Sequence, residues 1–219
     1  MPLISEKDSE FLRNEFEKGL VNPVKLVVFT QEFECQFCAE TRQIVEEIAE
    51  LSPKITAEVY DLVDDKAMAD LYDVDMIPAI VVLREEDGTD KDYGIRFFGI
   101  PSGYEFTTVI EDITDVSVGE SGLQDKTKQA VAAIDKPVHL QVFVTPTCPY
   151  CTQAVRLAHK LAIESELITA DMVEAIEFPH LANKFHVHGV PRTVINETVH
   201  QEGAVPEPLF LSKLLEAVQ

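Results

Sequence analysis

The sequence predicts an α/β protein of two tandem units, each with a mixed central sheet flanked by helices. Three observations lead to this fold class. The 219-residue chain repeats itself, because the run Pro23–Phe29 matches Pro137–Phe143, and two Cys-x-x-Cys motifs, at residues 35–38 and 148–151, lie 113 residues apart. In both copies a proline follows the first cysteine at a separation of 43 residues. Short β-rich runs alternate with helical patterns and then form a hairpin, which is typical of a sheet with parallel pairs on one side and an antiparallel pair on the other.

Each copy shows the same order of elements: helix, strand, helix after the cysteine pair, strand, helix, strand after the proline, strand and helix. The helices after the cysteines are indicated by apolar residues spaced for one buried face: Ile44, Val45, Ile48 and Ala49 in the first copy, and Ala154, Val155, Ala158, Leu161 and Ala162 in the second. The following strands are expected over Glu58–Val63, Ala79–Leu83 and Gly94–Gly99 in the first copy, and over Asp171–Ile176, Arg192–Ile195 and Val199–Gly203 in the second. Amphipathic helices close the copies, marked by Phe106, Val109, Ile110 and Ile113 and by Leu211, Leu214, Leu215 and Val218.

The repeat predicts two domains, residues 1–117 and 118–219. The segment between the copies, Val116–Gly122, carries two glycines and two serines and is the best linker candidate. Each unit has about 110 residues, which is enough to bury a hydrophobic core of its own.

Composition narrows the class of partner. Apolar residues make up 46% of the chain and charged residues 26%, as in ordinary soluble globular proteins. The net charge of -21 argues against nucleic acid and anionic membrane as partners, because binding phosphate needs Lys and Arg. The first ten residues show no secretory signal, and no run approaches the roughly 18 apolar residues of a membrane span. We therefore expect a cytoplasmic protein with no membrane association.

All four cysteines fall into the two pairs, Cys35/Cys38 and Cys148/Cys151. A free thiol with a pKa near 8.5 is only about 3% ionised at pH 7, whereas exchange with a disulfide needs the thiolate. The start of a helix directs backbone N–H groups and the positive end of the helix dipole at the first sulfur, which favours its ionised form. The second cysteine, one turn further on, can then attack the mixed disulfide and release the product. The pattern predicts thiol–disulfide exchange at both pairs.

A zinc or iron–sulfur module is the alternative use of such cysteine pairs. Zinc ribbons place their pairs about 15–20 residues apart, whereas these pairs are 113 residues apart inside matching strand–helix units. We therefore expect no metal and no other bound cofactor, with metal analysis of the reduced protein as the discriminating test. Arg42 and Arg156 on the helices after the cysteines are interpreted as solvated surface side chains.

The two matched prolines open apolar strands. Ile77-Pro78 and Val190-Pro191 occupy the same position in each copy, and we predict that both bonds are cis. The backbone before each proline would then pair with an extended substrate. Ile77, Pro78, Val190 and Pro191 are therefore the candidate substrate-binding residues.

The second motif, Thr145-Pro-Thr-Cys-Pro-Tyr-Cys151 with Val190-Pro191, resembles glutaredoxins, and Cys35-Gln-Phe-Cys38 with Ile77-Pro78 is similar to a thioredoxin-superfamily centre. Nearly the whole chain takes part in this resemblance. Two such thioredoxin-like units, each with an intact centre, resemble the protein disulfide oxidoreductases, or glutaredoxin-like proteins, typical of thermophilic archaea and bacteria.

This resemblance implies dithiol–disulfide exchange on protein disulfide substrates by reduction, oxidation and isomerisation, with a role in cell redox homeostasis. It implies that a thioredoxin reductase-like flavoprotein supplies the electrons. It also implies that Cys35 and Cys148 attack and that Cys38 and Cys151 resolve. The related alternative is a dedicated electron donor to a peroxiredoxin, although donor domains of that kind usually keep one active centre.

The sequence departs from thioredoxins in one respect, because no acidic residue lies in the strand before either centre, over residues 26–30 and 140–145. The two flanks also differ in charge. Glu32 and Glu34 place negative charge next to Cys35, whereas Thr145-Pro-Thr147 adds none before Cys148. Since like charge disfavours a thiolate, we predict that Cys148 ionises more readily and reacts faster than Cys35.

Overall fold

The computed structural model describes residues 2–218, and in that range it contains eight helices and eight strands. Met1 and Gln219, the outer ends of the two predicted domains, lie outside the described residues. By packing, the described residues form two compact units. The first contains residues 2–92, Phe98–Ile100 and Ile113–Gly119, and the second contains Tyr93–Phe97, Pro101–Asp112 and residues 120–218. The predicted domain boundary between residues 117 and 118 stays a prediction.

The order of elements is the predicted one in both halves of the chain. The first half contains α1 (Glu6–Gly19), β1 (Val24–Thr30), α2 (Cys38–Ala49), β2 (Ile55–Asp61), α3 (Lys66–Leu71), β3 (Ala79–Glu86), β4 (Thr89–Phe98) and α4 (Tyr104–Val118). The second half contains α5 (Asp125–Ala132), β5 (Val138–Val144), α6 (Cys151–Glu164), β6 (Ile168–Glu174), α7 (Pro179–Lys184), β7 (Arg192–Ile195), β8 (Val199–Glu202) and α8 (Glu207–Ala217).

The central strand of the first unit is β1. It pairs in parallel with β2, with Val24 opposite Ile55, and antiparallel with β3, with Phe29 opposite Ala79. Because both of its neighbours are strands of the same sheet and its faces are covered, β1 is a nearly continuous apolar run. The predicted mixed sheet is confirmed for this unit.

The second unit repeats this arrangement around β5. This strand pairs in parallel with β6 and antiparallel with β7, and β7 turns back into β8. Helix α6 buries the apolar face that the sequence predicts, with Val155 and Ala158 fully inaccessible to solvent. The predicted fold class, a mixed sheet flanked by helices in each of two units, is confirmed.

The repeat extends to a polar contact across the parallel strand pair. In the first unit Lys25 Nζ lies 3.2 Å from the Glu58 carboxylate. At the corresponding positions of the second unit, His139 Nε2 lies 2.5 Å from the Asp171 carboxylate. The sheets therefore match in side-chain register as well as in strand order.

Several predicted element boundaries are wrong. Strands β2 and β6 begin and end two or three residues earlier than predicted, because the apolar residues that extended the pattern, Val63 and Ile176, are exposed beyond the strands. The predicted linker is also too long at its start. Helix α4 continues to Val118, and the buried Ser117 hydroxyl donates to the Asn22 carbonyl at 2.6 Å, which fixes this turn.

Candidate active site

The first cysteine pair lies at the carboxyl end of β1, in the loop that leads into α2. Cys35 and Cys38 form a disulfide with a Cα–Cα distance of 5.5 Å. Cys38 is the first residue of α2 and is buried, whereas Cys35 precedes the helix and is partly exposed. Glu34, just before Cys35, adopts a left-handed backbone with φ 59°, in the turn that is one residue longer than its counterpart in the second copy.

The second pair occupies the same place at the carboxyl end of β5. Cys148 and Cys151 form a disulfide, also with a Cα–Cα distance of 5.5 Å. Cys151 begins α6 and is fully buried, while Cys148 is 8% exposed. The Cys148 N–H donates to the Thr145 carbonyl at 3.1 Å, which closes the turn before the helix. In each pair the first cysteine is thus the more accessible one.

Helices α2 and α6 both begin at the second cysteine of their pair, so the first cysteine lies three residues before the helix. The first turn of a helix still leaves N–H groups without partners inside the helix, and these groups together with the helix dipole favour an anion just before the helix. The first sulfur of each pair lies at this position. The arrangement can therefore stabilise a thiolate at Cys35 and at Cys148.

The predicted cis bonds before Pro78 and Pro191 are both present. The pairing of β3 with β1 and of β7 with β5 brings each proline to the end of the sheet where the cysteines lie, since Phe29 faces Ala79 and Phe143 faces Arg192. Both prolines are buried, and Ile77 and Val190 before them are partly exposed. The carbonyls of Pro78 and Pro191 accept hydrogen bonds from Gly99 and Gly203, at 2.9 and 2.8 Å.

A cleft of about 730 Å³ opens beside the first disulfide. It is lined by the end of β1 and the loop after it, the first turns of α2, and the end of β2 with the residues that follow it. Two of its lining side chains are large, apolar and mostly exposed: Phe33 at 74% and Val63 at 65%. Apolar surface next to a reactive sulfur suits a peptide segment that carries the disulfide to be exchanged.

Within residues 2–218, no three His, Cys, Asp or Glu side chains lie together as a group that could hold a metal ion.

None of the helices that the structure describes combines the length and apolar character required to cross a bilayer.

Comparison with known proteins decides the family. A thioredoxin domain model matches residues 138–216. The structure of a protein disulfide oxidoreductase from Aeropyrum pernix is 31% identical, with 98% of this chain and 94% of that chain covered, at a TM-score of 0.90. The chain belongs to the protein disulfide oxidoreductases of the thioredoxin superfamily. Membership of this family, together with the two Cys-x-x-Cys disulfides, supports thiol:disulfide oxidoreductase activity.

A second group of relatives has a different name. The structure of alkylhydroperoxide reductase AhpF from Enterococcus faecalis is 26% identical, with 96% of the oxidoreductase and 98% of that chain covered, at a TM-score of 0.86. The corresponding alkyl hydroperoxide reductase protein of Staphylococcus epidermidis is 26% identical over 179 residues, and a protein of Bacillus subtilis named NADH dehydrogenase is 23% identical over 171 residues. The oxidoreductase spans only 31% and 30% of the length of these two curated relatives.

Sequence reasoning missed a buried acid in the first turn of α4. Glu105 is 1% exposed, and one of its carboxylate oxygens has no hydrogen-bond partner among the described residues. The Thr108 hydroxyl donates to the other oxygen at 2.9 Å. Burial raises the pKa of the Glu105 carboxyl to about 7. No sequence signal marks this residue, because it lies more than 40 positions before the cysteines, on α4.

The residue before Glu105 ties the start of α4 to the second cysteine pair. The Tyr104 N–H donates to the Pro146 carbonyl at 3.2 Å, and the Tyr104 carbonyl accepts from the Thr152 hydroxyl at 3.4 Å. Pro146 and Thr152 flank the Cys148–Cys151 disulfide on either side. Glu105 therefore follows directly after the residue that joins α4 to the two flanks of the second cysteine pair.

The interpretation of Arg156 as a solvated side chain is wrong. Its side chain is only 15% exposed, and its guanidinium lies 2.7 Å from the Asp112 carboxylate and 3.0 Å from that of Glu111. Asp112 is fully buried and also lies 2.5 Å from Nδ1 of the buried His159. By contrast, Arg42 is half exposed and pairs with Glu46 on the surface of α2, as predicted.

Proposed function

We propose that this oxidoreductase exchanges disulfides in protein substrates, by reduction, oxidation and isomerisation, and does so at both centres. One observation carries the proposal: the chain has two disulfides, each at the start of a helix, and in each of them the first cysteine is more accessible than the second. Resemblance to a named protein disulfide oxidoreductase over nearly the whole chain supports the substrate class. The reaction needs no bound cofactor, and its setting would be the cytoplasm.

In the reductive direction, the Cys148 thiolate attacks one sulfur of a substrate disulfide. A mixed disulfide forms, and the other substrate sulfur leaves as a thiolate. Cys151 then loses its proton and attacks the Cys148 sulfur, which forms the internal disulfide and releases the second substrate thiol. Two electrons pass to the substrate. Cys35 and Cys38 take the same roles in the first centre.

Glu105 is the proposed proton acceptor for Cys151. An acceptor works best with a pKa near the operating pH, and the pKa of Glu105 is about 7. Its place beside Tyr104, which contacts both flanks of the second disulfide, supports the assignment. Among the described residues of the first unit no Asp or Glu is fully buried, so the two centres differ in this respect.

Substrate contacts are proposed at Ile77, Pro78, Val190 and Pro191. The strand register places them at the cysteine end of each sheet. A thioredoxin reductase-like flavoprotein is the proposed electron source.

A second candidate function is electron donation to a peroxiredoxin. The similarity to an alkyl hydroperoxide reductase protein over 80% of the chain favours it. In this role the centres would pass electrons to the disulfide of one dedicated partner instead of to many proteins.

The deciding experiment is reduction of insulin disulfides by the full chain and by two single-centre variants, Cys35→Ser/Cys38→Ser and Cys148→Ser/Cys151→Ser. We expect both variants to retain activity and the variant with all four serines to have none. Parallel assays with a peroxiredoxin and a hydroperoxide measure electron donation to the peroxiredoxin, for comparison with the reduction of insulin. Activity toward the peroxiredoxin with none toward insulin would overturn the general function in favour of the dedicated one.

A further inference from the structure

The lining of the cleft beside the Cys35–Cys38 disulfide combines exposed apolar side chains with an excess of carboxylates. Phe33 and Val63 supply the exposed apolar surface. Glu32, Asp61 and Asp64 add three carboxylates to the lining, against a single cation, Arg42.

The Arg42 guanidinium does not neutralise these carboxylates. The Arg42 guanidinium lies 2.7 Å from the carboxylate of Glu46, which is not part of the cleft. Among the described residues, no Lys, Arg or His pairs with the carboxylates of Glu32 or Asp64, and both side chains are exposed. Asp61 differs from them, because one of its oxygens accepts from the N–H groups of Val63 and Asp64 at 2.8 and 3.0 Å and so holds the turn after β2.

The approach to the second centre has another character. Thr145, Pro146 and Thr147 stand before Cys148, where Glu32, Phe33 and Glu34 stand before Cys35. The acid that corresponds to Asp61 is Glu174, which is buried, and burial raises its pKa. Exposed apolar surface is present here too, at Tyr150 and Ile176, both exposed by more than 60%. The centres therefore share apolar surface and differ in the charge around it.

We propose that the first centre selects disulfides whose cysteine lies in a segment with an apolar residue flanked by Lys or Arg, and that the second centre lacks this selection. The inference rests on the proposed function, since it names the substrate class of one of its two centres. The apolar residue docks on Phe33 and Val63, and the flanking cations lie against Glu32 and Asp64. Complementary charge of this kind chiefly raises the rate of association, and salt weakens it.

The test compares two mixed-disulfide peptides, Lys-Phe-Cys-Lys and Glu-Phe-Cys-Glu, each joined through its cysteine to a nitrothiobenzoate reporter. Reduced single-centre variants of the full chain attack the disulfide, and the absorbance of the released reporter thiolate gives the second-order rate. With Cys148→Ser/Cys151→Ser, which keeps the first centre, we expect the cationic peptide to react about tenfold faster at low salt. This ratio should fall to within about twofold at 1 M salt, where the screening length is about 3 Å.

The second single-centre variant, Cys35→Ser/Cys38→Ser, corrects for the net charge of the whole chain, which attracts cations to both centres. For this variant, the ratio of the rate with the cationic peptide to the rate with the anionic peptide should be at least about threefold smaller than for the first-centre variant. Adding Glu32→Gln/Asp64→Asn to the first-centre variant should lower that variant's ratio by about the same factor. The matched control is Glu10→Gln/Glu17→Gln, which removes two exposed carboxylates of α1 that do not line the cleft. It should leave the ratio unchanged.

Equal ratios at the two centres, or a ratio that Glu32→Gln/Asp64→Asn leaves unchanged, would overturn the charge selection. In that case both peptides still react, and the proposed function stands. If the first-centre variant reduces neither peptide, the proposed function of this centre fails, and the inference fails with it.

Discussion

Gly103 is placed so that the loop before Cys148 leaves no room for a side chain. It has a backbone φ of +61°, and a Cβ added there would lie 2.2 Å from the Pro146 carbonyl oxygen. Since that atom belongs to the backbone, the loop would have to move to admit even an alanine. The hydrogen bond from the Tyr104 N–H to the same carbonyl, 3.2 Å long, would be strained as well.

The expected cost of Gly103→Ala has two parts. Alanine in the left-handed region costs about 1–2 kcal/mol, offset by about 0.4–1 kcal/mol from the lower freedom of the unfolded chain. Displacing packed atoms adds about 1–3 kcal/mol. Gly122→Ala isolates the first part, because Gly122 has a φ of +64° and its Cβ would meet only the flexible Lys160 Nζ, at 3.9 Å.

The measurement is urea unfolding followed by circular dichroism for both variants. We expect a loss of about 1–4.6 kcal/mol in the free energy of unfolding for Gly103→Ala and of about 0–1.6 kcal/mol for Gly122→Ala, with the first loss larger by about 1–3 kcal/mol. In the Cys35→Ser/Cys38→Ser background, Gly103→Ala should also slow insulin reduction, because the turn before Cys148 is displaced. Equal losses of stability in the two variants would show that the Pro146 carbonyl does not exclude a side chain at residue 103.

Three further predictions concern buried charge and thiol reactivity. The raised pKa of Glu105, about 7 against the usual 4.5, means that the folded protein holds a proton that the unfolded chain releases between these values. Stability should therefore fall as pH rises from about 4.5 to 7, by up to about 3 kcal/mol, and urea titrations of Glu105→Gln should show this slope flattened. Asp112→Ala should cost about 3–5 kcal/mol in the free energy of unfolding, because it removes the carboxylate that pairs with the mostly buried Arg156 and the fully buried His159. Glu111, the other partner of Arg156, is half exposed, so Glu111→Ala should cost less than about 1 kcal/mol in the same assay. In the reduced protein at pH 7, iodoacetamide should modify Cys148 faster than Cys35 by peptide mass analysis, and the reverse order would show that Glu32 and Glu34 do not govern reactivity.

The order of elements could be predicted because local pattern determines it. The apolar runs of β1 and β5 and the one-sided helix after each cysteine pair are short-range signals, and the repeat provides each of them with a second, independent occurrence. Strand ends were less predictable. Val63 and Ile176 are apolar and extend the strand pattern, but both lie exposed after the strands end, and Val63 lines the cleft beside the first cysteine pair. Large exposed apolar side chains of this kind often mark binding surfaces rather than the core.

The redox cysteines and the cis prolines could be located from spacing alone. The buried acid Glu105 could not, because the start of α4 meets the loop at Pro146 through tertiary packing and not through proximity in sequence. The same holds for Arg156, whose partners Glu111 and Asp112 lie 44 or more positions earlier in the chain. From sequence alone, an arginine on a helix is interpreted as solvated, because the sequence does not show which other element packs over it.

In the proposed mechanism the first cysteine of each pair attacks and the second resolves. Trapping the mixed disulfide tests it most directly, with reduced Cys35→Ser/Cys38→Ser protein carrying either Cys151→Ser or Cys148→Ser and with insulin as substrate. Mass spectrometry should find insulin chains bound to Cys148 in the first variant and almost none bound to Cys151 in the second, since Cys151 is fully buried. Equal adducts at the two cysteines, or adducts at Cys151 alone, would contradict the account.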